Sequence, residues 1–179
     1  MQMVASETDQ KLQPGRAQLA EVFQQQKDRV FRAAYRITGN SSDAEDVLQT
    51  VFLRLAGQES LGEIANLPAY LHRSAVNAAL DVLRRRTETA SLETEPGQLD
   101  LKLVRRADRD LELRDWLRQA LAKLNPHWAE MFVLRFVEDY SNREIARMMG
   151  TSTAVVAVLL HRTRARLKKD YLQMTRSTP

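Results

Sequence analysis

The stretch GNSSDAEDVLQTVFLRL, residues 39–55, decides how this chain is read. At about 100° per residue, Ala44, Val47, Leu48, Val51, Phe52 and Leu55 fall on one apolar stripe, which is the spacing of an amphipathic helix and not the alternation of a strand. Ser42 and Glu45 have capping-box spacing, and Asp43, Glu45 and Asp46 put negative charge where the helix dipole favours it. Such a cap is typically worth about 1 kcal/mol. Asp46, Gln49 and Leu53 lie on the opposite side. One exposed leucine means little, because scattered surface hydrophobes are ordinary. Joined in a strip with a carboxylate and an amide, it suits the docking of another helix.

The same period continues outward in both directions, and no stretch of useful length alternates as a strand would. An all-α protein is expected, built of two small helical domains joined by a flexible linker. Leu19 to Thr38 reads as one helix, with Val22, Phe23, Val30, Ala33, Ala34 and Ile37 inside and Gly39 as its stop. Helices are expected at about 43–56 and 68–86, completing a first domain over 19–86 after a disordered extension over 1–18. Residues 87–110 begin with TETASLETEPGQLD, which is polar and acidic and contains Pro96 and Gly97, so they read as the linker. Beyond it, helices at about 111–123, 126–138, 141–149 and 152–169 form a second domain over 111–170, followed by a frayed tail over 171–179. Asn125 caps a helix with Pro126 at its first position, Ser141 and Glu144 form a second capping box, and Gly150 ends that short helix.

Composition limits the function classes. The chain has 179 residues and no cysteine, which excludes a disulfide framework, a thiolate metal site and a cysteine nucleophile. Its first residues, MQMVASETDQ, do not read as a secretory signal. The longest apolar run, Ala154 to Leu160, is 7 residues, against the roughly 20 that a membrane-spanning helix needs. A cytoplasmic protein without membrane insertion is expected. The net charge of +4 is uneven: +1 over 1–86, −3 over 87–112 and +6 over 113–179. A basic, helical C-terminal third suits either a polyanion or a plain solvated surface. The three histidines are scattered, and neither a glycine-rich phosphate loop nor a nucleophile elbow is present. No catalytic residue, metal or cofactor is expected, and the chain is not read as an enzyme.

Two further segments carry function. NLPAYLHRSAVNAALDVLRRR, residues 66–86, opens with Asn66 as a cap and buries Leu71, Ala75, Ala78, Ala79 and Val82. Tyr70, Arg73, Asn77 and Arg84 project within about 60° of one another on the other side. A ring can stack on an unpaired base, an amide can pair with a base edge and arginines can hold phosphates, although an ordinary solvated face ended by basic residues has the same composition. SNREIARMMGTSTAVVAVLLHRTRARLKK, residues 141–169, pairs a short capped helix with a longer basic one across a tight turn. Ala146, Gly150 and Val156 match the small, turning and apolar positions of a helix-turn-helix.

In these three segments, DAEDVLQTVFLRL above all, the chain resembles the extracytoplasmic-function sigma factors of the sigma-70 family, alternative specificity subunits of bacterial RNA polymerase. The resemblance covers about residues 19–86 and 111–169. It implies that Asp43, Asp46, Gln49, Phe52 and Leu53 contact the clamp helices of the polymerase's largest subunit. It places Tyr70, Arg73, Asn77, Arg84, Arg85 and Arg86 on the downstream promoter element as its strands separate, with Tyr70 where the family usually has tryptophan and residues 58–67 completing the base pocket. It places Ser152, Thr153, Val155, Ala157, Val158, His161, Arg162, Arg164 and Arg166 on the upstream element, with Lys168 and Lys169 adding phosphate contacts. The linker would thread the polymerase's nucleic-acid channels, and the flap of the second largest subunit, promoter DNA and an anti-sigma factor are the other implied partners. Ala157, Val158 and Leu159 depart from the pattern, because the family usually has basic and small polar residues there. Alanine and valine can touch a thymine methyl but cannot form the bidentate bonds that single out guanine or adenine. Two other readings stay open: a mimic that binds an anti-sigma factor without reading promoters, and a helix-turn-helix repressor independent of polymerase.

Overall fold

The computed structural model describes residues 13–58, 64–93 and 109–177. They form seven helices: α1 (Gln13–Thr38), α2 (Ser41–Ala56), α3 (Leu67–Glu93), α4 (Arg109–Lys123), α5 (Pro126–Phe136), α6 (Asn142–Met149) and α7 (Thr153–Ser177), with no strand among the described residues. The all-α expectation holds. What was read for residues 1–12, 59–63, 94–108 and 178–179 lies outside the described residues.

Helices α1, α2 and α3 pack on one another. Val30, Ala33, Ala34 and Ile37 of α1 meet Val47, Val51, Phe52 and Leu55 of α2 and Leu71, Ala75 and Ala79 of α3, all buried. The small alanines let the helix axes approach closely, while the branched and aromatic side chains fill the space between them. Phe23 closes the far end, meeting the Phe52 ring edge-on at 4.8 Å between centroids.

Three helices run further than their sequences suggest. α3 continues to Glu93 where a linker was expected from residue 87, because polarity does not stop a helix: the Thr87 and Thr89 hydroxyls donate to the carbonyls of Leu83 and Arg85 at 3.0 Å. α7 reaches Ser177 where fraying was expected from 171, because Tyr171 is held against Trp116 of α4, edge to face at 5.0 Å. α1 already runs from Gln13, the first described residue, where an extension outside the helix was expected up to 18. α5 is the exception, ending at Phe136 rather than 138. There the chain turns through Asp139, at φ 57°, and the Tyr140 N–H bonds the Leu134 carbonyl at 2.9 Å.

Capping follows the sequence with one correction. Asn66, Asn125 and the Ser141–Glu144 box cap α3, α5 and α6 as expected. For α2 the expected Ser42–Glu45 box does not form, since the helix begins at Ser41 and leaves Ser42 inside its first turn. Asn40 caps it instead, accepting the Asp43 N–H at 3.1 Å. The turn between α6 and α7 depends on Gly150, at φ 63°, with the Thr151 N–H on the Ala146 carbonyl at 2.9 Å. A side chain there meets open space, so Gly150→Ala tests backbone strain alone. It is expected to cost about 1–2 kcal/mol by denaturant melting, and Gly150→Asn clearly less.

α3 is buried on two sides, which the sequence reading missed. Besides the expected Leu71, Ala75, Ala78, Ala79 and Val82, the structure buries Val76, Leu80 and Leu83, a second stripe at four- and three-residue steps. His72, Arg73 and Asn77, which flank this stripe, all bond to residues beyond α4. The stripe therefore faces α4 and α5, and α3 is the element the two halves of the chain share.

Candidate functional site

Among the described residues no element covers the outer face of helix α2. Asp46 and Gln49 are exposed, and Leu53 keeps 71% of its surface. Phe52, expected among the contacts on this face, instead turns into the core at 8% exposure. Asp43 is partly covered and pairs with Arg86 of α3 at 2.7 Å, tying the start of one helix to the later turns of another. The available strip is thus Asp46, Gln49 and Leu53.

On α3 the structure brings Tyr70, Arg73 and Asn77 together but does not leave them free. Arg73 donates Nε–H to Glu130 Oε1 and Nη1–H to the Met148 carbonyl at 2.7 Å. Asn77 donates Nδ2–H to the same Glu130 oxygen at 3.0 Å. Glu130 lies on α5 and is 3% exposed, so a buried carboxylate has both a cation and an amide to satisfy it. Tyr70 lines a cleft of about 500 Å³ with Asn66, Arg73, Tyr140, Arg147 and Met148. Arg84 turns away to Asp81 at 2.7 Å, Arg86 is engaged by Asp43, and Arg85 is exposed.

A second set of charges closes the same seam. Glu138, just past the end of α5, lies 3.0 Å from His72 Nε2 of α3 and 3.2 Å from Arg36 Nη1 of α1, with its side chain 3% exposed. Burial raises the Glu138 pKa, but the hydrogen bond and charge of His72 and the charge of Arg36 outweigh it, leaving the carboxyl below its ordinary 4.5. The sign follows from linkage: this pairing is in place above the ordinary value and is lost as pH falls through the lowered one. Arg29 donates to the Tyr140 hydroxyl at 2.9 Å, and Arg118 of α4 donates to the Ile37 carbonyl at 3.1 Å. The last contact passes over Gly39, at φ 69°, where a Cβ would collide with the Arg118 guanidinium. Sequence reasoning had assigned no role to Glu130, Glu138 or Arg118.

The face of α7 that the resemblance assigns to the upstream element is open. Val156 and Leu160 anchor α7 in the core, while Ser152 just before it and Thr153, Val155, Ala157 and Val158 on its first turns are exposed. Val155 and Val158 keep 45% and 49% of their surface. His161, Arg162, Arg164, Arg166, Lys168 and Lys169 follow, all exposed, with Arg166 3.8 Å from Asp170. Among the described residues no group of three histidine or acidic side chains is placed to hold a metal ion, and no helix is long and apolar enough to cross a membrane.

Comparison with known proteins adds to this geometry. The family model described as sigma-70 region 2 matches residues 22–89, and that described as sigma-70, region 4 matches residues 114–167. The ECF RNA polymerase sigma factor SigE of Mycolicibacterium smegmatis is 33% identical over 157 residues, which are 85% of this chain and 60% of that protein. The chain thus spans less than two thirds of that relative. The RNA polymerase sigma-E factor of Streptomyces coelicolor is 32% identical over 153 residues, 84% of each chain. Among solved structures, the sigma factor RpoE of Bartonella quintana, in complex with the anti-sigma factor NepR, aligns at 20% identity with a TM-score of 0.48, covering 84% of this chain and 94% of that one.

Proposed function

The chain belongs to the RNA polymerase sigma factors of the extracytoplasmic-function type, and from that membership we propose a division of labour among its surfaces. In this proposal it is an alternative sigma factor that binds core RNA polymerase and directs promoter recognition, strand opening and the start of transcription. Residues 19–86 form the unit that holds polymerase and reads the downstream element, and 111–170 the unit that grips the upstream duplex. Asp46, Gln49 and Leu53 dock on a helical surface of the polymerase, where an exposed leucine gains apolar contact and the flanking carboxylate and amide fix orientation. The partners are core polymerase, promoter DNA and, as the family resemblance implies, an anti-sigma factor. The protein works by binding, in the cytoplasm, with no catalytic step of its own.

The observation that carries the reading is the grouping on α3. Tyr70, Arg73 and Asn77 share one strip, two of them already engaging a carboxylate with the donors that a phosphate and a base edge would accept. A tyrosine ring beside them can stack on a base freed from the duplex. The test is run-off transcription from promoters mapped by transcript 5′ ends after overproduction. Start-site-specific transcripts made by core polymerase only with this chain support the reading; random initiation unaffected by the chain contradicts it.

For the upstream duplex, exposed cations of α7 supply phosphate contacts and the valines an apolar reading surface. Arg164→Ala is therefore expected to weaken duplex binding alike for all sequences, lowering the slope of log K against log salt by about 0.9. Titration at several salt concentrations measures it.

A further inference from the structure

The first turns of α7 carry a face that recognition by hydrogen bonds to bases cannot use. Val156, Leu160, Thr163 and Leu167 are buried, and at about 100° per residue Ala154 and Val158 point almost directly away from them, with Val155 and Ala157 on either flank. All four of these are exposed, the two valines keeping 45% and 49% of their surface. We propose that this face selects its upstream duplex by the C5-methyl groups of thymine in the major groove: Val155 and Val158 are the specificity-determining residues, and the preference they impose is for neighbouring thymines. The inference rests on the assignment of α7 to the upstream element given above.

Three observations support it. The first is the chemistry of the side chains. Guanine and adenine are told apart by bidentate hydrogen bonds from arginine, lysine, asparagine or glutamine, none of which stands between Thr153 and Leu160, whereas a thymine methyl is matched by apolar contact. Ser152, just before the helix, accepts the Val155 N–H on its hydroxyl oxygen at 3.2 Å, and a serine or threonine hydroxyl serves any base. The second is spacing. Side chains three positions apart on a helix lie about 5–6 Å from each other at Cβ, and a DNA strand advances about 3.4 Å per base. Val155 and Val158 can therefore meet methyls on neighbouring base pairs. The third is charge. Directly beyond the apolar turns Arg162, Arg164, Arg166, Lys168 and Lys169 are exposed on the same helix. A protein partner for the valines would have to bring acidic residues to meet these cations, whereas a duplex presents its methyl groups between two rows of phosphates. An apolar centre followed by cations thus fits the major groove of a thymine-bearing duplex.

The test uses the full chain bound to core polymerase, titrated with duplex that carries the upstream part of the mapped promoters. Single thymines are replaced by deoxyuridine, which keeps the base pair and the phosphates and lacks only the methyl. At the contacted positions affinity is expected to fall about fourfold for each methyl removed, the equivalent of one buried methylene. A pair of 5-methylcytosine with guanine at the same position should bind about fourfold better than plain cytosine with guanine. Val155→Ser with Val158→Ser should bind the thymine and uracil duplexes alike at an unchanged salt slope; both positions are exposed, and serine is about as good a helix former as valine. Equal binding of thymine and uracil duplexes by the parent overturns the inference, as do mapped promoters without neighbouring thymines in the upstream segment. If the parent ignores the methyls while Arg164→Ala still lowers the salt slope, the methyl code falls and the assignment of α7 stands. If Arg164→Ala leaves the slope unchanged and the methyls are ignored as well, that assignment falls too. If the double serine variant keeps its preference for thymine and loses affinity for core polymerase instead, the face is a protein contact and the inference is overturned.

Discussion

Asn77→Ala is expected to lower promoter opening by a factor of roughly 5 to 150, the equivalent of the about 1–3 kcal/mol that one base contact contributes. Affinity for core polymerase should stay within about twofold, because Asn77 lies on α3 and the exposed docking strip on α2. Permanganate footprinting gives the first quantity and fluorescence anisotropy of a labelled chain the second. Asn77 is well suited to the test because it is only partly buried and, among the described residues, its side chain bonds Glu130, so alanine leaves the core of α3 intact. Glu130 keeps Arg73, and no buried charge is stranded. In the free protein the same substitution removes one hydrogen bond between α3 and α5.

The second large effect is expected on the opposite surface. Asp46→Lys combined with Leu53→Ala should weaken core binding by about 30-fold or more, the loss of at least about 2 kcal/mol seen when a central docking residue is removed. Both positions are exposed, so folding stability should change by no more than about 1 kcal/mol, the size of a charge effect near a helix start. A thermal melt beside the binding titration separates the two quantities. Equal loss of polymerase affinity in this variant and in Asn77→Ala would contradict the division between the two faces.

What could be read from the sequence is what local physics determines. The apolar stripe from Ala44 to Leu55 gave α2, Asn125 gave the start of α5, and Ser141 with Glu144 and Gly150 gave both ends of α6, because capping and left-handed turns involve residues within a few positions of one another. Ser42 misled, since Asn40 caps two positions earlier and both residue types do so well. The extent of α3 was missed because threonines and glutamates were taken for a break, whereas only Pro96 and Gly97 are true breakers.

The seam was not legible for a different reason. Glu130 meets Arg73 across 57 positions, and nothing in the local pattern pairs them. A signal did exist: Glu130 is the one carboxylate of α5 and stands among Ala129, Met131, Val133 and Leu134, all buried. A charge in that setting needs a partner from elsewhere. The second stripe of α3, Val76, Leu80 and Leu83, likewise announced a neighbour beyond the first bundle. Phe52 shows the reverse failure, where resemblance suggested a contact and the stripe already placed the ring inside.

The most direct test of the whole account is to mix the purified full chain with core RNA polymerase freed of its own sigma subunit, without DNA, and measure complex formation by size-exclusion chromatography with light scattering. One chain per polymerase is expected, and the complex should be lost on Asp46→Lys with Leu53→Ala. A chain that elutes apart from core polymerase with no inhibitor present would contradict the account at its root.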